Sequence, residues 1–300
     1  MRYVFIANPA AGKKGAAERV AAGVRSYCAS RELDCRFFET EGPGHAKRLA
    51  EEASVCGEPV RIYGIGGDGT LSEIASGAYL QENVEIGIFP CGSGDDAVRT
   101  FGSREAFLNV EKQLAAASRR VDMIRSDHRV SLNLCSIGLD AAVAYHMVRF
   151  KRLPLVSGSM AYNLALVKVF LQKIGNRMEI ILDGDRLEPE SFLFALAGNG
   201  RYYGGGYCGA PEAVPDDGLL DFILIRTPKL RDVPSLVGIY KKGGHLYDPK
   251  FRELLTFRRG KRMEVAIDGT AFANYDGECY PVSRACFEII PQAVRFLVPQ

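Results

Sequence analysis

Residues 66–70 read Gly-Gly-Asp-Gly-Thr, three glycines set around one carboxylate. An apolar run, Val60-Arg61-Ile62-Tyr63-Gly64-Ile65, precedes them, and a helix-like run from Leu71 to Gly77 follows. A strand that breaks into glycine and then enters a helix suits phosphate chemistry. Glycine has no Cβ, so the backbone approaches a polyphosphate closely and adopts positive φ. The helix start beyond offers free N–H groups and the positive end of the dipole to an anion. An acid in such a loop is out of place unless a metal ion or a reacting hydroxyl sits beside it. Magnesium favours carboxylate, water and phosphate oxygens, so Asp68 reads as a direct or water-mediated metal partner.

The elements that must position this loop alternate along the first 120 residues or so. Strands are expected at Tyr3–Ala7, Cys35–Glu39, Val60–Ile65 and Val84–Phe89, and helices at Ala16–Ala29, His45–Val55 and Leu71–Leu80. That alternation predicts βαβ units and a parallel sheet. Ligands bind beyond the carboxyl ends of such strands, where three loops fall: Asn8-Pro9-Ala10-Ala11-Gly12, Gly66–Thr70 and Pro90–Asp96. Past residue 120 the pattern shortens to strands with turn signals such as Asp183-Gly184-Asp185 and Asp216-Asp217-Gly218. Strands are expected at Arg129–Ile137, Met178–Leu182, Ser191–Ala197, Leu219–Ile225, Arg262–Ile267 and Ala285–Ile290, with helices over Leu139–Phe150 and Ser159–Lys173. The predicted fold is α/β: an N-terminal parallel-sheet nucleotide-binding domain (1–122) and a C-terminal antiparallel β-sandwich domain (123–292). Residues 293–300 are expected to return to the first domain.

Bulk composition excludes several classes. The 300 residues are 47% hydrophobic and 25% charged, which is ordinary for a globular protein. A net charge of +2 gives no field for a nucleic-acid partner. Basic clusters such as Lys241-Lys242 and Arg258-Arg259 read mainly as solvated faces. The eight cysteines (28, 35, 56, 91, 135, 208, 279, 286) contain no C-x-x-C pair and lie in apolar runs, so reduced, buried thiols are expected. Neither a signal peptide nor an 18-residue apolar stretch is evident, and a cytoplasmic protein is expected.

Gly64, Gly66 and Gly69 formally satisfy G-x-G-x-x-G, but after the third strand where a dinucleotide fold would carry it after the first. No glycine loop ends in G-K-[ST], so phosphate is expected on backbone amides and metal without a P-loop lysine. Taken together, Asn8-Pro9-x-x-Gly12, Gly66-Gly67-Asp68-Gly69-Thr70-Leu71-x-Glu73 and Pro90-x-Gly92-Ser93-Gly94-x-Asp96-x-x-Arg99 resemble the diacylglycerol kinase catalytic-domain family. The bacterial soluble lipid kinases of that family are the closer likeness. The resemblance continues through Asn133, Gly138-x-Asp140-Ala141, Gly198-Asn199-Gly200, Gly204-Gly205-Gly206, Asp216-Asp217-Gly218 and Asp276-Gly277-Glu278, nearly the full length.

The resemblance implies an ATP- and magnesium-dependent kinase that phosphorylates a lipid hydroxyl, with diacylglycerol first among the acceptors. Asn8, Pro9, Gly12, Thr40, Gly66, Gly67, Asp68, Gly69, Thr70, Leu71, Ser72, Glu73, Ser93 and Asp96 would then bind the nucleotide. A structural magnesium would fall on the Asp217 side chain and the carbonyls of Val214 and Leu219. Asp68 and Asp122 would complete an acidic, metal-dependent cluster, and the proton acceptor would be Asp276 or Glu278. A carboxylate in that role contributes roughly 10²–10⁴-fold in rate. The implied partners are a lipid substrate and, peripherally, the inner membrane face; a homodimer is compatible with the sequence. In one place the chain departs from the family pattern: Asp95 stands where an asparagine is usual, and a second negative charge there would recruit metal, alter the acceptor or weaken ATP binding. Two other readings compete. NAD kinases carry the same glycine loop, against which stand Leu71-x-Glu73 and Gly204–Gly206; a non-catalytic lipid- or nucleotide-binding regulator would explain Asp95.

Overall fold

The computed structural model describes residues 1–55, 57–150, 153, 160, 164–165, 168–169 and 174–300. Most of the helix expected over 159–173, and Cys56, lie outside them. The chain opens with β1 (Arg2–Ala7), α1 (Ala16–Ser30), β2 (Cys35–Glu39), α2 (His45–Ser54), β3 (Val60–Gly66), α3 (Asp68–Ala78) and β4 (Val84–Pro90). β1 pairs in parallel with β2 and with β3, and β3 pairs in parallel with β4. The central strands are buried on both faces, β4 at all seven positions, as expected where helices cover both sides, whereas the edge strand β2 has no fully buried position. α1 lays Ala17, Ala21, Val24 and Cys28 on one face, while α2 and α3 pack Ala46, Ala50, Ile74 and Ala75 on the other.

Three short helices, α4 (Asp96–Phe101), α5 (Arg104–Leu108) and α6 (Val110–Leu114), lead to β5 (Ala117–Ser126), β6 (Arg129–Ser131), β7 (Leu134–Gly138) and α7 (Leu139–Phe150). β8 (Asn176–Leu182), β9 (Asp185–Arg186), β10 (Glu190–Gly198), β11 (Tyr202–Tyr203), β12 (Tyr207–Cys208) and β13 (Leu220–Arg226) follow. The chain ends with α8 (Val233–Lys241), β14 (Leu255–Gly260), β15 (Arg262–Tyr275) and β16 (Glu278–Val298). The pairings in this half are antiparallel, and alternate burial along β15 matches a sheet with one covered face.

Three expectations change. The two halves do not carry separate sheets, because β16 runs through both: it pairs with β15, then with β5, and reaches β4 in parallel at Arg295 and Phe296. A register shift between Ile290 and Val294, at Pro291 and a left-handed Gln292, lets one 21-residue strand serve both. The single strand expected over Arg129–Ile137 is broken into β6 and β7, and the interruption faces the site described below. Finally, Cys28 and Cys35 are joined as a disulfide, with Cα atoms 6.5 Å apart, so these two are not reduced thiols. No helix among the described residues is long and apolar enough to cross a membrane.

Candidate functional site

At the carboxyl ends of β1, β3 and β4 the three glycine-rich loops meet. Gly12 has φ +70, and a Cβ there would lie 1.8 Å from the carbonyl oxygen of Cys91. A Cβ on Gly92 would come within 2.8 Å of Gly67 Cα. Only glycine lets these backbones cross so closely. Asn8 ties the first loop to the second, donating from Nδ2 to Thr70 Oγ1 at 3.2 Å, while its Oδ1 accepts Ala10 N–H. The N-cap of α3, Gly67, supplies no side-chain acceptor, and the space beside Gly69 is open. The start of α3 therefore offers N–H groups and positive dipole to an anion. Ser93 is exposed at the rim, and Thr40 anchors its own loop by donating N–H to the Ala7 carbonyl at 2.8 Å.

Two residues expected at the nucleotide do other work. Glu73 accepts the N–H groups of Gly44 (2.8 Å) and Ala46 (3.1 Å), and so caps α2 with an acid from α3. Leu71 is a core side chain, 1% exposed.

Asp68 begins α3. Its Oδ1 accepts the Ala97 N–H at 3.1 Å, while its Oδ2 lies next to Gly94. Asp96 stands close by and is buried; its Oδ2 accepts the Gly205 N–H at 2.7 Å from the β11–β12 hairpin. Burial pushes the Asp96 carboxyl above its ordinary value, Gly205 pulls it back, and the Asp68 charge adds to the rise.

Asp276 reaches the same place from the other half of the chain. Its Oδ1 accepts N–H from Asn133 (3.0 Å) and Leu134 (2.9 Å), and its Oδ2 accepts Leu132 N–H (2.6 Å) and Ser72 Oγ–H (3.0 Å). Leu132 and Asn133 in the break between β6 and β7, with Leu134 at the start of β7, supply those three amides. Burial raises the Asp276 carboxyl against these four bonds. Each oxygen carries two donors, which uses the carboxylate's capacity. Glu278 is exposed and accepts Tyr280 Oη–H at 2.9 Å.

Asp122 is elsewhere. It is fully buried, and its two oxygens accept N–H from Gly218 (2.8 Å) and Gln292 (2.7 Å). Among the described residues no hydrogen bond links it to Asp68, whose own carboxylate is held by Ala97 N–H. Asp217 Oδ1 accepts Leu219 N–H at 3.0 Å, while the Val214 carbonyl receives Asp217 N–H at 3.4 Å. These bonds tie the turn together and use one of the two Asp217 carboxylate oxygens. Among the described residues no three acid, histidine or cysteine side chains are grouped to bind a metal.

Beyond Asp68, Ser72, Asp96 and Asp276 opens a cavity of ≈ 520 Å³, which those four residues help to line. Most of its remaining wall is apolar, including Val143, Met147 and Val148 of α7, Phe194 of β10, and Val233, Leu236 and Val237 of α8. Asn133, Asn274, Asp140, Tyr203 and Tyr240 interrupt it; behind the wall Ser136 Oγ donates to Asp140 Oδ2 at 2.6 Å, and the Tyr203 and Tyr240 hydroxyls lie 3.1 Å apart. Burial raises the Asp140 carboxyl, with Ser136 opposing. Asp140 and Asn133 belong to the family-like motifs, yet spacing alone assigned them no role. Tyr240 carried no signal, since a tyrosine in an apolar run reads as core, and Tyr203 was passed over beside the Gly204–Gly206 motif.

Residues 2–126 match the family model of the diacylglycerol kinase catalytic domain. Residues 133–298 match the YegS C-terminal NAD kinase beta sandwich-like domain. The chain belongs to the diacylglycerol kinase catalytic-domain family. Within that family it is 30% identical over 290 residues to a Pseudomonas aeruginosa protein named Probable lipid kinase YegS-like, covering 96% of this chain and 92% of the relative. It is 24% identical to the Bacillus subtilis protein named diacylglycerol kinase, over 92% of this chain and 89% of that one. A crystal structure of a diacylglycerol kinase from Bacillus anthracis superposes with a TM-score of 0.70 at 18% identity, over 99% and 96% of the two chains. An Archaeoglobus fulgidus NAD kinase solved with ATP superposes at a TM-score of 0.54 and 15% identity, over 99% and 94%. At these identities the two structures speak for the fold alone.

Proposed function

We propose that this lipid kinase family member transfers the γ-phosphate of ATP to the hydroxyl of a long-chain lipid, with diacylglycerol as the leading acceptor. The observation that carries the reading is one juxtaposition. Asp68, at the start of α3 among the crossed glycine loops, also lines the apolar cavity. The loops suit a triphosphate and the cavity suits acyl chain; a nicotinamide dinucleotide would leave its polar groups unpaired against Val143, Met147 and Leu236. The solved NAD kinase with ATP supports an ATP donor only through its shared fold. Magnesium would arrive with the triphosphate, as part of the donor.

In this reading the backbone N–H groups at the start of α3 and in the crossed loops hold the phosphates, with the helix dipole favouring their charge. The lipid lies in the cavity with its hydroxyl at Asp68. Asp68 Oδ2 takes the proton as the hydroxyl oxygen attacks the γ-phosphorus. The bond from that phosphorus to the bridging oxygen breaks, and ADP leaves. Positioning and charge neutralisation dominate such a transfer. Asp276, with four donors on it, orients the β6–β7 break and α3 and does not serve as the base. A lipid acceptor requires peripheral contact with a membrane surface.

The reading is tested by offering ATP labelled on the γ-phosphate with diacylglycerol, monoacylglycerol, a sphingoid base, a long-chain alcohol or NAD. Label is expected in a lipid product. Label in NADP, or ATP binding with transfer to none of the acceptors, would overturn it.

A further inference from the structure

Asp95 lies in the third glycine-rich loop at φ 51, a left-handed conformation uncommon for a residue with a Cβ. Its side chain is buried, with 7% of the residue exposed. Oδ2 accepts from Arg104 Nε at 2.6 Å, and the same guanidinium donates through Nη2 to the Pro90 carbonyl at 3.1 Å. Pro90 ends β4, and Asp95 is the residue just before α4. One arginine, the first residue of α5, therefore grips both ends of the loop. The other oxygen, Oδ1, is closed off from solvent and has no hydrogen-bond partner among the described residues. It lies under Gly92, where an added Cβ would stand 3.2 Å from it, and Gly92 is the residue whose backbone packs on Gly67. The carboxylate thus supports the crossing of two phosphate-binding loops from beneath.

These contacts bear on what the charge at position 95 does. Oδ2 is spent on Arg104, and neither Asp95 nor Arg104 lines the apolar cavity. The pair belongs to the donor side. Burial pushes the Asp95 carboxyl upward while Arg104 opposes the rise, so without the guanidinium a buried acid would face the glycine crossing alone.

We propose that Arg104 is a positioning residue, paired with Asp95 in a clamp that sets the shape of the Pro90–Asp96 loop for the donor phosphates. The inference rests on the reading that these loops hold ATP. It assigns Asp95 neither to a metal nor to the acceptor.

The test compares Arg104→Ala, Arg104→Lys, Asp95→Asn and the double variant Asp95→Asn/Arg104→Ala. Mg-ATP affinity is measured by calorimetry, and the acceptor KM is measured at saturating ATP. Arg104→Ala is expected to weaken Mg-ATP binding about tenfold or more, because it strands a buried charge, with the acceptor KM unchanged. Arg104→Lys retains the charge but not the two-ended grip, and falls between. The double variant is expected to bind better than Arg104→Ala alone, since no unpaired carboxylate remains. Should Arg104→Ala fail to fold, Arg104→Lys and the double variant make the same comparison. Wild-type affinity in folded Arg104→Ala, a shift confined to the acceptor KM, or effects of the two single changes that simply add would overturn the clamp. Wild-type protein that binds no Mg-ATP at all would overturn both the clamp and the donor reading beneath it, so the two failures are told apart.

Discussion

Asp68 and Asp276 face the same cavity with different capacities. Asp276 already holds four donors, three from Leu132, Asn133 and Leu134 and one from Ser72, so taking a proton would mean releasing one of them. Asp68 accepts from Ala97 on Oδ1, leaving Oδ2 for a substrate. The Ser72 bond is the member of the Asp276 set that crosses from α3 to the second half of the chain. Ser72→Ala is expected to lower kcat about tenfold to a hundredfold through displaced reacting groups, with ATP affinity unchanged. Steady-state kinetics beside nucleotide calorimetry checks this, and an unchanged kcat would remove the role. At this scale the sequence was informative about residue types and less so about tasks. Asp68, Asp276 and Ser72 do converge, since short motifs in rigid loops carry their own geometry. Glu73 turned out to cap α2, and Asp122 to pin the Gly218 turn and the β16 bulge. Those partners come from distant segments, which no local spacing encodes.

Among the elements, β1–β4 and α1–α3 follow from hydrophobic runs punctuated by glycine, and the notable surprises are long-range. β16 joins both halves because Pro291 and Gln292 create a bulge whose freed N–H goes to Asp122. The return of residues 293–300 to the first half is legible as a final apolar segment, but the run Pro-Gln-Ala-Val does not show that the same strand continues unbroken from the second half within one sheet. α8 lines the cavity, and in the turn after it His245 packs on Tyr240 with ring centroids 4.6 Å apart and is 1% exposed. Burial brings the His245 pKa down to about 4. Because this lies below the unfolded value of about 6.5, the unfolded chain binds the proton more tightly between those pH values. Stability is therefore lost as pH falls through that window, by about 3 kcal/mol when complete. Asp221 works in the opposite sense: burial brings its carboxyl up to about 6 despite Arg259, so its contribution declines as pH rises toward that value. Replacing His245 isolates the first effect. His245→Phe is expected to gain on the wild type by about 2–3 kcal/mol between pH 7 and pH 4.5 in urea unfolding. A difference that stays constant with pH would contradict the assignment.

For the molecule as a whole, the family models divide the chain between residues 126 and 133, while the sheet and the Asp276 network run across that boundary. The cavity is lined from both sides of it, which makes the site a property of the complete chain. Glycine-rich loops contributed by one half and most of the apolar wall by the other suit the proposed water-soluble donor and lipid acceptor. The most direct test follows labelled γ-phosphate from ATP into a long-chain acceptor held in mixed micelles, for wild type and Asp68→Asn side by side. Label in the lipid phase is expected from wild type, falling by about 10²–10⁴-fold in Asp68→Asn while ATP affinity and Tm hold. Transfer by Asp68→Asn at the wild-type rate, or label passing to NAD in place of lipid, would contradict the central claim.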